Sequence, residues 1–141
     1  MKISALHHLD LNVSNPERSR AFYERILTQM GYRRVDYSAP GEPTGFDWLA
    51  PTDGGRFSIG LYAARHDASH DRYAPGVHHI ALTASSRDAV DELHRILLEM
   101  GATILERPRE YPKYEPGYYA VFFLDPDGIK LEYVFTPPVH G

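Results

Sequence analysis

The 141-residue sequence contains no cysteine. Disulfide bonds, thiolate metal ligands and a cysteine nucleophile are therefore excluded. Long apolar segments are also missing, because the longest, "YYAVFFL" at 118–124, is far too short to cross a bilayer. The N-terminal residues "MKISALHHLD" lack the apolar core of a signal peptide, so we expect a cytoplasmic protein with no membrane partner.

The sequence also has no large excess of charge of either sign. The formal net charge is −4 at pH 7, and no long run of Lys and Arg occurs, so nucleic acid is not an expected partner. Hydrophobic residues make up 43% of the chain and charged residues 24%, which is typical of a globular protein. The length favours a single domain at 1–141, or two small modules that share one core.

What the sequence does contain is an internal repeat. Residues 7–32 ("HHLDLNVSNPERSRAFYERILTQMGY") align with residues 78–102 ("HHIALTASSRDAVDELHRILLEMGA") when one loop residue is omitted. Each copy has a histidine doublet, an alternating apolar stretch that predicts a strand, and a periodic stretch that predicts a helix. Gly31 and Gly101 suit the left-handed position after the last helical turn.

Both predicted helices begin with capping residues. In the first copy Ser14 and Glu17 form a candidate capping box, with Pro16 near the first helical position. In the second copy either Ser85 or Ser86 could cap the helix.

Three further β-like stretches follow the helix in each copy. They cover residues 32–37, 45–50 and 56–62 in the first copy, and 103–107, 118–124 and 129–135 in the second. Turn sequences, "PTDGG" and "DPDG", join the last two stretches of each copy. The sequence therefore predicts an α+β fold of two βαβββ modules, at 1–66 and 77–141.

The remaining segments are predicted loops, at 38–45 and 65–76. A Pro- and Tyr-rich connection at 107–117 is long enough to lie over a site.

Strand alternation assigns side chains to the two faces of each predicted sheet. In the first strand the apolar side chains pack against the helix, so His8, Asp10 and Asn12 point to the other face. His79 and Glu132 point the same way in the second module, and Lys130 shares the face of Glu132. By the same alternation the outer histidines, at 7 and 78, face the helices and are structural.

His8, His79 and Glu132 are the strong metal-ligand types on this inferred face. Each residue alone is more often a hydrogen-bonded structural side chain, but two histidines and one carboxylate together leave coordination positions open for water or substrate. The set suits one divalent ion of Fe, Mn, Zn, Ni or Co without selecting among them. The repeat places Gly60 opposite Glu132, so a second carboxylate is missing at that position.

These motifs resemble the vicinal oxygen chelate superfamily, which includes glyoxalase I, extradiol dioxygenases, fosfomycin-resistance thiol transferases and bleomycin-binding proteins. The matching segments are "HHLDLNV…AFYERIL…MGY", "GVHHIAL" and "DPDGIKLEYV", and they span essentially the whole chain. The resemblance implies paired βαβββ modules that form a cup around one divalent metal, with His8, His79 and Glu132 as ligands. It also implies a homodimer, and leaves open whether the modules pair within one chain or exchange between chains.

Gly60 departs from the glyoxalase I pattern, in which that strand supplies a further ligand. Three ligands are more similar to the dioxygenase and fosfomycin-resistance members, although neither the acid–base residues of the former nor the basic loop of the latter is recognisable here. Bleomycin-binding relatives lack the metal ligands. The sequence thus favours a metal-dependent isomerase, lyase or dioxygenase acting on a small oxygenated metabolite, and a non-catalytic small-molecule-binding protein is the alternative.

Several inward-facing residues are candidates for contact with a substrate. Asp10 could act as a base beside the catalytic Glu132, Asn12 could orient a substrate, and Lys130 could stabilise charge or pair with Asp10. Tyr62 could line the pocket. Three tyrosines could form a lid, with Tyr119 as the substrate-binding residue among Tyr114, Tyr118 and Tyr119. A salt bridge or apolar cover is the plainer interpretation of each.

Overall fold

The computed structural model describes residues 4–35, 45–52 and 55–138. The chain divides into two compact units, Met1–Ala68 and Ser69–Gly141. The first unit contains β1 (His8–Val13), α1 (Pro16–Gln29), β2 (Arg33–Val35), β3 (Phe46–Thr52) and β4 (Gly55–Ala63). The second contains β5 (Ile80–Thr83), α2 (Arg87–Glu99), β6 (Ile104–Glu110), β7 (Tyr119–Leu124) and β8 (Lys130–Phe135). Both units have the predicted βαβββ order, and the α+β prediction is confirmed.

Each unit builds a four-stranded mixed sheet with the same topology. The strand orders are β1-β4-β3-β2 and β5-β8-β7-β6. The first strand of each unit pairs parallel with the last, and the other pairs are antiparallel. A parallel pair needs a long crossover, and here the crossover includes the helix. This arrangement sets the strand after each histidine doublet directly beside the last strand of its own unit.

The helices bury the apolar faces that the sequence predicts. In α1 the buried side chains include Tyr23, Ile26 and Leu27, and in α2 they include Leu93, Ile96 and Leu97. The alternate residues of the neighbouring strands, such as Leu11, Val13, Leu131 and Tyr133, are buried as well. Each such side chain contributes roughly 1.5–3 kcal/mol by burial. The opposite sheet faces are thereby left for polar residues.

The start of α1 differs from the prediction. Asn15, not Ser14, is the N-cap, and its Oδ1 accepts a hydrogen bond from the backbone N–H of Arg18 at 3.1 Å. Pro16 occupies the first turn, and the residue before a proline favours an extended backbone, which is the conformation that an N-cap requires. Ser86 caps α2, since its Oγ accepts from the backbone N–H of Ala89 at 3.0 Å.

Both helices end at the glycines that the repeat identified. Gly31 has a φ of +92° and Gly101 a φ of +66°, each directly after the C-cap methionine. This left-handed conformation is easily reached only by glycine, so the chain turns from helix to strand at the same point in both units.

Two predicted loops have different outcomes. The connection expected at 107–117 is shorter, because β6 extends to Glu110. β6 is an edge strand, and its pairing with β7 shifts register between Glu106 and Arg109, which accommodates Pro108. The loop predicted at 38–45 lies outside the described residues except for its last position, whereas 65–76 contains neither helix nor strand. Among the described residues, no helix is long and apolar enough to span a membrane.

The cap of α2 gives a direct test of this fold. Ser86→Ala should lower the free energy of unfolding by about 1 kcal/mol, because one N–H of the first turn loses its acceptor. Ser85→Ala is the matched control; Ser85 is exposed, and its loss should change stability by less than about 0.5 kcal/mol. Urea denaturation measures both, and an equal loss in the two variants would contradict the assigned cap.

Candidate active site

In the second unit a histidine and a buried glutamate meet. Glu132 lies on β8, where it pairs with Ala81 of β5 on one side and with Phe122 of β7 on the other. Its side chain is only 3% exposed. His79 immediately precedes β5, and its Nε2 lies 3.1 Å from Oε1 of Glu132. The parallel pairing of β5 with β8 therefore brings together two of the three predicted metal ligands.

Both carboxylate oxygens of Glu132 have a partner. Oε1 faces His79, and Oε2 accepts a short hydrogen bond from the hydroxyl of Tyr118. Burying a carboxylate is costly unless its oxygens are satisfied in this way. Burial and the hydrogen bond to Glu132 raise the pKa of Tyr118 well above its usual value. Tyr118 thus stays protonated at neutral pH and holds the carboxylate in place.

The other ring nitrogen of His79 contacts His78, the first member of its doublet. Nδ1 of His78 and Nδ1 of His79 are 2.7 Å apart, so one of these nitrogens must carry the proton. Desolvation lowers the pKa of His78, and electrostatic interactions with His79, Lys130 and Arg72 lower it further. A neutral His78 can accept a hydrogen bond from Nδ1–H of His79. That arrangement would leave Nε2 of His79 free to bind a metal.

The first doublet has the same geometry, with 3.0 Å between Nδ1 of His7 and Nδ1 of His8. The prediction that His7 and His78 pack toward the helices is wrong, because both side chains are exposed. The strands begin at His8 and Ile80, so strand alternation does not extend back to the outer histidines. Each outer histidine instead contacts its inner neighbour.

A cavity of about 540 Å³ in the second unit contains the His79–Glu132 pair in its wall. This volume is in the range of small-molecule sites. Tyr111, Tyr114 and Tyr118, from the connection between β6 and β7, also line it. The loop that the sequence predicts to lie over a site therefore does contribute side chains to this cavity.

Two predicted substrate-binding residues of this unit have different locations. Lys130 lines the cavity, with its Nζ 4.8 Å from the ring centroid of Phe122. Tyr119 does not, because its hydroxyl donates to Oδ1 of Asp91 on α2 at 2.6 Å. The hydrogen bond to Asp91, with burial, raises the pKa of Tyr119 to about 12. Successive residues of a strand point to opposite faces, so Tyr118, not Tyr119, reaches the cavity.

In the first unit His8 lies beside an acidic side chain as well. Its Nε2 is 3.6 Å from Oδ2 of Asp10, and both side chains are largely exposed. Asp10 pairs in register with Gly60, and Asn12 with Tyr62. His8, Asp10 and Asn12 occupy the exposed positions of β1, while the alternate positions Leu11 and Val13 are buried.

Gly60 makes room for two carboxylates. A Cβ built on Gly60 would lie 2.5 Å from Oδ1 of Asp10 and 2.5 Å from Oδ1 of Asp47. Asp47 of β3 pairs with Gly60, and burial followed by the charge of Asp10 raises the pKa of Asp47. Asp47 was not identified from the sequence, although counting back from the Thr52–Gly55 pair of the hairpin would have found it.

Other cavity residues were not identified from the sequence, among them two arginines. Arg72 comes from the segment before β5 and Arg109 from β6. Neither lies in a recognisable motif, and only the folded unit shows that they line the same cavity. Within residues 4–35, 45–52 and 55–138, no three His, Cys, Asp or Glu side chains are already grouped so that they could hold a metal ion.

Comparisons with known proteins agree with this architecture. The family model of the Glyoxalase/Bleomycin resistance protein/Dioxygenase superfamily matches residues 5–133. The chain is 32% identical over 132 residues to the uncharacterized protein YqjT of Bacillus subtilis (strain 168), covering 92% of this chain and 97% of YqjT. It is 29% identical over 134 residues to the metallothiol transferase FosB of Lysinibacillus sphaericus (strain C3-41), covering 94% and 83%. The crystal structure of a candidate glyoxalase from Bacillus halodurans matches with a TM-score of 0.69 and 32% identity, over 93% and 95% of the two chains.

The two carboxylates at Gly60 make a prediction about pH. Because the pKa of Asp47 is raised in the folded protein, ionisation of this side chain opposes folding. The stability that the protonated Asp47 contributes is therefore lost as the pH rises through its folded-state pKa. In metal-free protein, Asp47→Asn should therefore increase the free energy of unfolding at pH 7 and have little effect near pH 3. Urea denaturation across this range tests it. Asp127→Asn is a control distant in the sequence, and a loss of stability at pH 7 in Asp47→Asn would contradict the assignment.

Proposed function

Because this chain belongs to the Glyoxalase/Bleomycin resistance protein/Dioxygenase superfamily, in which a divalent metal is common, we propose that it is a metal-dependent enzyme. Its substrate would be a small oxygenated metabolite, and its reaction an isomerisation, a lyase reaction or a dioxygenation. The observation that carries the proposal is the contact of His79 with Glu132 in the wall of the cavity. The name of the relative FosB, a metallothiol transferase, adds transfer of a thiol as a reaction class to test.

The geometry of the pair fits a metal ion. Imidazole nitrogen and carboxylate oxygen are both ligands that divalent metals take in proteins, and a metal ion would have to be held by both atoms. Nε2 of His79 and Oε1 of Glu132 are 3.1 Å apart. Tyr118 and His78 contact the outer atoms of the two ligands, as metal-site supporting residues do. His8 completes the proposed set, and its role is supported by the sequence repeat and by the family resemblance.

A divalent ion held there would polarise two adjacent oxygens of a substrate. The chain's own residues have the other roles. Tyr118 keeps the carboxylate of Glu132 oriented, and Lys130 supplies positive charge for a developing oxyanion. Asp10, exposed beside His8, is the proposed base, and Asn12 and Tyr62 are proposed to contact the substrate.

A second function, sequestration of a small molecule without catalysis, also has an observation in its favour. The rings of Tyr111 and Tyr114 stack in the cavity wall, with centroids 5.7 Å apart, and Tyr118 packs within 5.1 Å of Tyr114. An aromatic wall of this kind can hold a flat ligand with no metal. In that case the contact of His79 with Glu132 would be an ordinary hydrogen bond within the wall.

We propose a cytoplasmic homodimer without nucleic-acid or membrane partners, based on the family resemblance and the composition. Light scattering of the purified protein tests the dimer.

Metal analysis separates the two functions. Protein purified without chelator and then dialysed should retain about one equivalent of a divalent metal, whereas His79→Ala and Glu132→Ala should lose it, because each variant removes one ligand. Glu106→Gln is the matched control, since Glu106 lines the same cavity but is hydrogen-bonded to Tyr111 and Arg109, not to a proposed metal ligand. His8→Ala tests the third ligand. If wild type binds no divalent metal when Fe, Mn, Zn, Ni and Co are each offered, the enzyme proposal fails and sequestration is favoured.

The doublet gives a separate prediction. His78→Leu removes the acceptor for Nδ1–H of His79 and should weaken metal affinity by about 10–100-fold, as loss of a supporting hydrogen bond does. His78→Asn should recover part of that loss, because its amide oxygen can accept the same proton. Metal titration against a fluorescent chelator measures the affinities, with His66→Leu, an exposed histidine outside the second unit, as the control. Equal affinities in all three variants would show that His78 does not support His79.

A further inference from the structure

We infer that Asp47 is a further metal ligand, the carboxylate that the first unit supplies in place of the one missing at Gly60. This inference rests on the proposed function, because it adds one member to the ligand set that His8 represents in this unit, and it does not describe a separate site. Asp47 lies on β3, directly beside Gly60 of β4. The first unit would therefore provide its carboxylate from a different strand than the second unit does.

The register of the two sheets shows how the carboxylates are exchanged. In the second unit, Glu132 lies in the centre of a row, with an alanine of β5 on one side and a phenylalanine of β7 on the other. In the first unit, Gly60 has the central position, with Asp10 of β1 on one side and Asp47 of β3 on the other. A row with one central carboxylate thus corresponds to a row with a glycine between two carboxylates.

The glycine lets both aspartates turn toward the centre of the row. A Cβ at Gly60 would lie 2.5 Å from Oδ1 of Asp10 and 2.5 Å from Oδ1 of Asp47. Both oxygens therefore occupy space that any larger residue would fill with its own side chain. Two anionic oxygens that converge on one point repel each other, and a cation bound beside them removes that repulsion. The space over Gly60 thus suits a positive ion better than a third carboxylate.

Asp47 suits the role of ligand better than Asp10, because its charge has no partner. Among the described residues, no ion pair within 4.0 Å includes Asp47. Its side chain interacts electrostatically with Asp10 and His8. Asp10 is 39% exposed and faces Nε2 of His8, which agrees with its proposed role as a base. A metal ion held by His8 would supply the positive charge that Asp47 lacks.

The direction of the Asp47 side chain is fixed by the residue that follows it. Trp48 is fully buried, and its indole N–H donates a short hydrogen bond to the carboxylate of Glu24 on α1. Neighbouring residues of a strand point to opposite faces, so the contact of Trp48 with the helix turns Asp47 to the other face. Because β3 lies between β2 and β4, Asp47 is held within the sheet and not at its edge. A metal ligand requires a position that is fixed in this way.

The Co²⁺ affinity of two full-length variants tests the assignment. Asp47→Asn should weaken the affinity by at least about 10-fold, because loss of a ligand should cost no less than loss of a supporting hydrogen bond. Asp10→Asn is the matched control, since it removes the same charge from the other side of Gly60 and should weaken the affinity by less than about 3-fold. Titration against a fluorescent chelator measures both. An equal loss in the two variants, or a loss confined to Asp10→Asn, would overturn the inference.

Returning the carboxylate to the central strand gives a second test. Asp47→Ala should weaken metal binding, and Gly60→Glu added to Asp47→Ala should recover most of the affinity, because it restores a carboxylate at the position equivalent to Glu132. Gly60→Gln in the same background is the matched control, and equal recovery by it would count against ligation. The absorption spectrum of bound Co²⁺ should change in Asp47→Asn, where water replaces one ligand. An unchanged spectrum in that variant would contradict direct ligation.

Variants of the two units distinguish failure of this inference from failure of the proposed function. If His79→Ala and Glu132→Ala lose the metal but Asp47→Asn keeps the wild-type affinity, the proposed function stands and Asp47 is not a ligand. If Asp47→Asn and His8→Ala lose the metal while the variants of the second unit retain it, Asp47 is a ligand and the proposed site of the second unit fails. A wild-type protein that binds none of the divalent metals offered overturns both.

Discussion

The structure depends on one constraint, the parallel pairing of the first and last strands in each unit. The crossover through α1 or α2 can be made only if the helix packs on one face of its sheet, which the buried residues of both helices achieve. That packing leaves the opposite face for polar side chains. The same pairing sets β5 beside β8, so that His79, at the entry to the first of these strands, meets Glu132 in the middle of the second.

The two units place their carboxylates in a reciprocal way. In the second unit the paired residues are Ala81 and Glu132, and in the first unit the equivalent pair is Asp10 and Gly60. Each unit therefore has one carboxylate and one small residue at this pair, but on exchanged strands. In both units the carboxylate lies near Nε2 of the inner histidine. The missing carboxylate at Gly60 is thus accompanied by an acidic residue on the neighbouring strand.

Much of the fold could be predicted because it is repeated. The apolar periodicity, the glycines at 31 and 101 and the turn sequences each occur twice, and a signal that occurs twice is hard to misread. The errors arose where a local pattern was extended beyond its element. The outer histidines lie before regular alternation begins, and Ser14 precedes an asparagine that the following proline makes the better cap. In each case the predicted boundary of a strand or helix is displaced by one residue, and periodicity does not determine boundaries that closely.

The candidate site was predicted only as far as strand alternation reaches. Alternation identified Glu132 and Lys130, because both lie on β8. Tyr119 was selected instead for its place beside the long loop, and there the neighbouring Tyr118 is the residue that reaches the cavity. Identifying Asp47 needs the register of the β3–β4 hairpin. Identifying Arg72 and Arg109 as cavity residues needs the folded unit.

Net charge was the least informative of the sequence signals. The chain as a whole carries −4, yet the wall of its cavity has more cations than carboxylates. The two statements are compatible because electrostatic interactions at a site are set by groups within about 8–10 Å, the Debye length at physiological salt, and not by the total. Four cations line the wall, and they come from the segment before β5 (Arg72), from β6 (Arg109), from the loop after it (Lys113) and from β8 (Lys130). No basic motif could have shown them, because they become neighbours only when β8 is paired between β5 and β7. The strand pairing that brings His79 to Glu132 is therefore also what gives the cavity its charge.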